Sequence, residues 1–498
     1  MNSVRIEENN EYVRVSSDYW TIEHLKRAGG AWHALKFTHG SGQNSLRGPA
    51  GSAIRVLQDD AGAVRGAGVS PARSSGFYAE CNELTPRVQV EFSADGTVAV
   101  IAEGTYRNAD GETIPVGYRR RTEYGTHGII WTSLQIMSDC GCGGVVEVRG
   151  LDLPLRAGLT DAYVRFHPTQ AGGADLLGGR TWIDLNGNSA ATPFLSRFTP
   201  LQMACFERGV EGLEIFPGSE LAQWDCAFKP DIGLGLYRLA HDASGAVVEL
   251  APYCMVARRM KIRLQGTITL RLGLVLSEPK ARSVPKRAVQ HAFISDPQTS
   301  DAQIEQHAAE GVSLIVFKDD YRDGGVFWRN GAVNPYAPDG MAALRRLIEA
   351  CQRCQIKIVP YIAAHELHPE THAYELHARA WMHAAAPSLD VVHTHCGAGE
   401  VGGLMCLRSG WLDYRKKTID AILRELPWDG VCLDWPALMP CCHSGHASGP
   451  FHSDVEELHD LVLYCRKRVG AEGTLAFIGA SDSSILAANL ADHILPRA

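Results

Sequence analysis

Trp428-Asp429-Gly430-Val431-Cys432-Leu433-Asp434-Trp435 is the stretch on which the reading of this chain turns. A helical pattern carrying Trp411, Tyr414, Ile419 and Ile422 precedes it, and a short turn separates the two. The apolar run that follows is too brief for a helix, and it ends in a carboxylate beside an indole. Short continuous apolar runs set between helical patterns mark buried parallel strands. An apolar strand does not end in Asp for packing reasons, because burying a charge is costly. Asp434 is therefore expected at a rim, facing solvent or a ligand.

The same alternation extends to both sides. Strands are expected at Val289–Ile294, Ser313–Phe317, Ile356–Ile362, Gly430–Trp435, Thr474–Ile478 and His493–Leu495. Helices are expected at Ser300–Glu310, Met341–Cys354, Trp411–Leu426, Asp454–Val469 and Ser483–Leu490. Regular strand-helix alternation implies right-handed crossovers and a parallel sheet. Six such strands fit a (β/α)8-type barrel lacking its last strands, or an open α/β sheet. The barrel is the preferred reading, incomplete at Ala498. The edges it leaves would call for an oligomeric contact, a second copy of the chain, to cover them.

Ahead of this region the period changes from 3.6 to two. Val13 and Val15 alternate with polar neighbours, and Val88, Val90 and Phe92 lead through Ser93-Ala94-Asp95-Gly96 to Val98 and Val100. Asn108-Ala109-Asp110-Gly111 and Asn186-Gly187-Asn188 are further turn signals. Alternating leucines and isoleucines run from Ile262 to Leu276. So many half-buried strands call for a large antiparallel β-sandwich. The expectation is a β-sandwich over residues 1–283, a Pro-marked connector near Ser283-Val284-Pro285-Lys286, and the barrel-like domain over 287–498.

Composition sets limits on partners and place. The chain has 498 residues, 45% of them hydrophobic and 21% charged, with a formal charge of −8. An acidic balance argues against nucleic acid and anionic membranes, which attract basic patches. No run reaches the roughly 20 apolar residues of a membrane span. The segment from Met1 to Val15 is polar and lacks the pattern of a signal peptide. A cytoplasmic protein is expected, with its 14 cysteines reduced and packed as small hydrophobes.

Catalytic residues of a β/α barrel collect at the C-terminal ends of the strands. There the chain offers Lys318-Asp319-Asp320-Tyr321, His365-Glu366-Leu367-His368, Asp434-Trp435 and Ser481-Asp482. A carboxylate beside a stacking ring suits glycoside chemistry, where positive charge develops at the anomeric carbon, with Asp434 as nucleophile or general base. Trp435 and Trp328 would stack on sugar faces. Asp319, Asp320, Lys318, His365, His368, His395 and Arg408 would hold hydroxyl groups. The acidic run Asp319, Asp320, Asp323 lacks the further oxygens and the placed Gly of a calcium loop.

The Asp-Gly-Val-Cys-Leu-Asp-Trp stretch ending at Trp435 resembles the fourth-strand signature of barrel glycoside hydrolases such as the α-galactosidase-like enzymes. Ala28-Gly29-Gly30-Ala31-Trp32-His33-Ala34-Leu35 is similar to the opening hairpin of the large mutarotase-like sandwich that precedes the barrel in that architecture. The resemblance covers the layout of the chain and is specific only around Asp434. It implies that Asp434 is the nucleophile and that a carboxylate near the sixth strand is the acid/base. Here His493-Ile494-Leu495 is followed by Pro496-Arg497-Ala498, with no carboxylate. The acid/base is then missing or supplied by Asp482 or Glu366.

A second constellation is rich in His and Cys: His365 and His368, His393 and His395 before Cys396, then Cys441, Cys442, His443, His446 and His452. Their spacings match no closed zinc pattern, and Cys351-x-x-Cys354 lies on a helix without a partner knuckle. The same histidines serve as hydrogen-bond donors in a sugar pocket, so no metal or cofactor is expected. A metal-dependent hydrolase built on this cluster and a non-catalytic carbohydrate-binding protein stand as alternatives to the glycosidase.

Overall fold

A computed structural model describes residues 4–38, 40–57, 77–125, 128–138, 145–156, 163–167, 181–184, 203–208, 211–220, 237–242, 245–250, 262–263, 266–277, 289–318, 338–367, 369, 371–384, 393–395, 401–434, 440–446, 452–478 and 490–495. They fall into two compact units, one within 4–277 and the other within 289–495. The connector expected around 283–287, the turn at 186–188 and residues 483–489 of the helix expected over 483–490 lie outside the described residues.

Among the described residues, every strand pair of the first unit is antiparallel. A four-stranded sheet runs through Arg5–Glu8, Tyr12–Ser16, Trp20–Leu25 and Trp32–Phe37, beside a 15-stranded sheet. Val13 and Val15 are fully buried, as their alternation predicts. Arg87–Phe92 and Val98–Arg107 form the expected hairpin, closed by Phe92 opposite Val98, with Gly96 at φ 83°. The Asn108 turn closes Val98–Arg107 onto Thr113–Tyr124, with Gly111 at φ 82°. Trp20–Leu25 and Trp32–Phe37 pair around Gly29 and Gly30, both at φ 67°. A Cβ on Gly29 would stand 2.1 Å from the Glu80 carbonyl oxygen, so only glycine lets the backbones approach there. Ile262–Arg263 pairs with Val145–Val146, while Gly266–Ser277 lies between Ile129–Ser138 and Glu211–Pro217.

The core of this unit contains a charge pair. The Arg120 guanidinium meets the Glu80 carboxylate, whose other oxygen accepts from Ser52 Oγ at 2.8 Å. Burial pushes the Glu80 carboxyl up, and Arg120 opposes that shift. Nearby, His24 Nδ1 donates to the Gly30 carbonyl at 2.9 Å and Nε2 faces the Tyr124 hydroxyl.

In the second unit six parallel strands lie side by side in chain order: β1 (His291–Ile294), β2 (Leu314–Phe317), β3 (Lys357–Ala363), β4 (Gly430–Asp434), β5 (Thr474–Ile478) and β6 (His493–Leu495). They are the six runs read from the sequence. Crossover helices are α1 (Asp301–Ala309), α2 (Pro338–Arg353), α4 (Leu412–Glu425) and α5 (Val455–Val469). The helix α3 (His372–Trp381) was not expected. Ser300 and Gln303 form a reciprocal capping box that starts α1.

Alternate residues point to one face of this sheet. Leu314, Val316, Val359, Tyr361, Ala363, Cys432, Ala476, Ile478 and Leu495 make one buried cluster, with Val289 and Phe293 against it. Gly430 lies flush against β5, where a Cβ would stand 1.8 Å from the Thr474 carbonyl oxygen. None of the described helices is long and apolar enough to cross a membrane.

Candidate active site at the end of strand four

The period-two alternation of a strand decides where Asp434 points. Cys432 belongs to the clustered face, so Asp434, two residues on, continues that face beyond the apolar layer. Lys318 does the same for β2, two residues after Val316. Asp434 sits half-buried between Ala363 of β3 and Ile478 of β5. Its main-chain oxygen accepts from Ala364 N at 3.1 Å. Its carboxylate Oδ2 accepts a short hydrogen bond from the Tyr361 hydroxyl. Tyr361 is 4% exposed, and Lys318 Nζ stands 5.2 Å from its ring centroid. Three neighbouring strands thus bring a carboxylate, a phenol and an ammonium group to one end of the sheet. A hydroxyl donor fixes one carboxylate oxygen, and a cation over the phenol ring adds a favourable electrostatic contact.

Tyr361 had no place in the sequence reading. In an apolar strand it reads as packing, and only the register against β4 puts its hydroxyl on Asp434. Among the other expected residues, Glu366 is half-buried in a short strand paired with Leu404, where its carbonyl accepts from Arg415 at 3.1 Å. Arg408 forms an ion pair with Glu457 at 3.5 Å. His395 lies in a short strand opposite Val401. Asp319, Asp320, Trp328, His368, Trp435 and Asp482 lie outside the described residues.

His365 follows β3 but does not face open solvent. Its side chain is fully buried, with Nδ1 3.2 Å from the Met405 carbonyl and 3.6 Å from Asp454 Oδ2. His383 Nε2 approaches the same carboxylate oxygen at 3.6 Å. Burial works against a charge on His383, but Asp454 and Cys441 outweigh it and push the imidazole up to about 9. Beside this triad stand Cys406, Cys441, His446 and His452, all buried. The hydrogen bond to Cys406 pulls the Cys441 thiol far down against the effect of burial, and His383, His446 and His452 reinforce it. Burial pushes the Cys406 thiol well up, and Cys441 and Asp454 add to that shift. The His and Cys residues noted in the sequence are in part gathered here, joined by Cys406, His383 and Asp454, which the sequence did not single out.

No protein-family profile matches the chain. No curated protein matches it in sequence. Among solved structures, the galactosidase domain of the α-galactosidase-sucrose kinase AgaSK aligns with 99% of this chain and 75% of its own, at TM-score 0.48 and 11% identity. The α-galactosidase from Lactobacillus brevis aligns with 100% of this chain and 73% of its own, at TM-score 0.45 and 9% identity. The α-N-acetylgalactosaminidase NagBb from Bifidobacterium bifidum aligns with 98% and 78%, at TM-score 0.37 and 11% identity.

Proposed function

We propose that this chain is a glycosidase that cleaves a small glycoside or oligosaccharide, with Asp434 as its nucleophile. The observation that carries the reading is the placement of Asp434. It ends an apolar inner strand, on the face that points into the cluster, with one carboxylate oxygen held by Tyr361. In this reading the Asp434 carboxylate forms a bond to the anomeric carbon as the glycosidic C–O bond breaks. A carboxylic acid gives its proton to the leaving oxygen, and water then hydrolyses the glycosyl ester. Glu366 and Asp482 are the candidates for that acid. Tyr361 positions the nucleophile, and Lys318 with Asp319, Asp320, Trp328 and Trp435 meets the sugar.

The finer architecture belongs to the same proposal. The antiparallel unit is read as a mutarotase-like sandwich over 1–283, and the six parallel strands as part of a (β/α)8-type barrel over 287–498. The protein is read as cytoplasmic, where its eight described free thiols would stay reduced.

A screen of α- and β-linked aryl glycosides, together with raffinose and stachyose, tests the activity, with wild type beside Asp434→Asn. Raffinose and stachyose are included because aligned α-galactosidase structures hold them. Cleavage by wild type that disappears in the folded variant is the expected result. Turnover that survives in Asp434→Asn would remove Asp434 from the mechanism.

A further inference from the structure

Two short ribbons meet at the buried Cys and His cluster. One is the bridge between Met382 and Met405, which leads directly into Cys406. The other pairs Pro440–Cys441 with His452–Ser453 and sets Cys441 opposite His452. Cys406 Sγ lies 3.9 Å from His452 Nε2, and Cys441 Sγ lies 3.6 Å from His446 Nδ1. One donor atom from each of the four residues falls within 4.8 Å of all the others. A tetrahedral zinc ion with sulfur and imidazole ligands has edges of about 3.3–3.8 Å. Small side-chain adjustments take the observed set to that geometry.

The surroundings suit a metal better than a packed core. His446 Nε2 lies 2.7 Å from the Ala380 carbonyl, an acceptor, so that nitrogen carries the proton and Nδ1 turns its lone pair to the cluster. Cys441 Sγ accepts backbone N–H groups from Ala384 and His443, both at 3.4 Å. His383 and Asp454, 3.6 Å apart at Nε2 and Oδ2, form an outer polar layer next to it. Neither sulfur is in a disulfide.

We infer that Cys406, Cys441, His446 and His452 form a structural zinc site. Its four protein ligands fill the tetrahedron and leave no position for a reactive water, which separates it from a hydrolytic metal centre. Three of the ligands lie between β4 and α5. The metal would anchor the chain that leaves Asp434 to the start of α4, where Cys406 stands before Leu407. The site is independent of the proposed glycosidase mechanism, which uses none of the four ligands.

The test is metal analysis of the full chain, purified under reducing conditions without chelator from zinc-supplemented cultures. Wild type is compared with Cys441→Ser, His452→Gln and Cys354→Ser. About one zinc per chain is expected in wild type and Cys354→Ser, with at least a tenfold loss in the two ligand variants. Because those variants could unfold, cobalt(II) is exchanged into wild type and into His446→Cys. Wild type should show a tetrahedral ligand field with thiolate charge-transfer bands, and these bands should strengthen by about half as a third thiolate joins two. Folded wild type without zinc, a disulfide between Cys406 and Cys441, zinc retained in both ligand variants, or a cobalt spectrum without thiolate bands would each overturn the site.

Discussion

His24 should make the antiparallel unit sensitive to acid. Its ring is 1% exposed, and burial together with the nearby Arg120 lowers its pKa from 6.5 to about 3. The Gly30 carbonyl can only accept, so Nδ1 carries the proton and Nε2 accepts from the Tyr124 hydroxyl. The folded state thus holds a neutral imidazole. Below pH 6.5 the unfolded chain takes up a proton that the folded chain refuses, until the pH approaches 3. The stabilisation is complete above pH 6.5 and is lost as pH falls through that window. One proton changes stability by about 1.4 kcal/mol per pH unit, so the loss between pH 6.5 and 4 is about 3 kcal/mol. The assay is hydrogen exchange of the segment 20–37 at several pH values, corrected for intrinsic rates, in wild type and His24→Gln. The stability difference between the two should shift by about 3 kcal/mol across the window, with wild type losing more. Parallel pH profiles would show that His24 is not held neutral and would refute the reasoning.

Two further outcomes follow from particular contacts. Tyr361→Phe keeps the ring and removes the donor to Asp434. A hydrogen bond to a charged group is worth about 1.5–3 kcal/mol, so kcat/KM on a cleaved aryl glycoside should fall about 10- to 100-fold with little change in unfolding; a fall of less than twofold would deny Tyr361 its positioning role. Arg120→Met leaves Glu80 buried without its cation and should cost about 3–5 kcal/mol in urea unfolding of the antiparallel unit, whereas a loss below about 1 kcal/mol would mean the pair is not the buried partnership described.

The strands of the parallel unit were readable because a buried parallel strand is a short apolar run, and six such runs stand between helical patterns. Asp434 was readable for the same reason, as a charge where packing asks for none. The helix α3 was not. Its buried residues are Ala373 and Ala378, too small to print a strong apolar period, and its start rests on Thr371 alone. Tyr361 was hidden by its own hydrophobic body. Asp454 shows a competing rule at work: an Asp before a helix reads as its cap, yet this side chain caps nothing and turns to His365 and His383 instead. The four proposed zinc ligands come from two separate ribbons, and no local spacing announces a pairing that only the fold creates.

The central claim is that Asp434 attacks the anomeric carbon. A glycoside that cleaves is converted to its 2-deoxy-2-fluoro analogue with a good leaving group, and the protein is mapped by peptide mass spectrometry after incubation. The account predicts a single glycosyl group on the peptide that holds Asp434, absent from Asp434→Asn. A label on another carboxylate, or one that persists in Asp434→Asn, would contradict it.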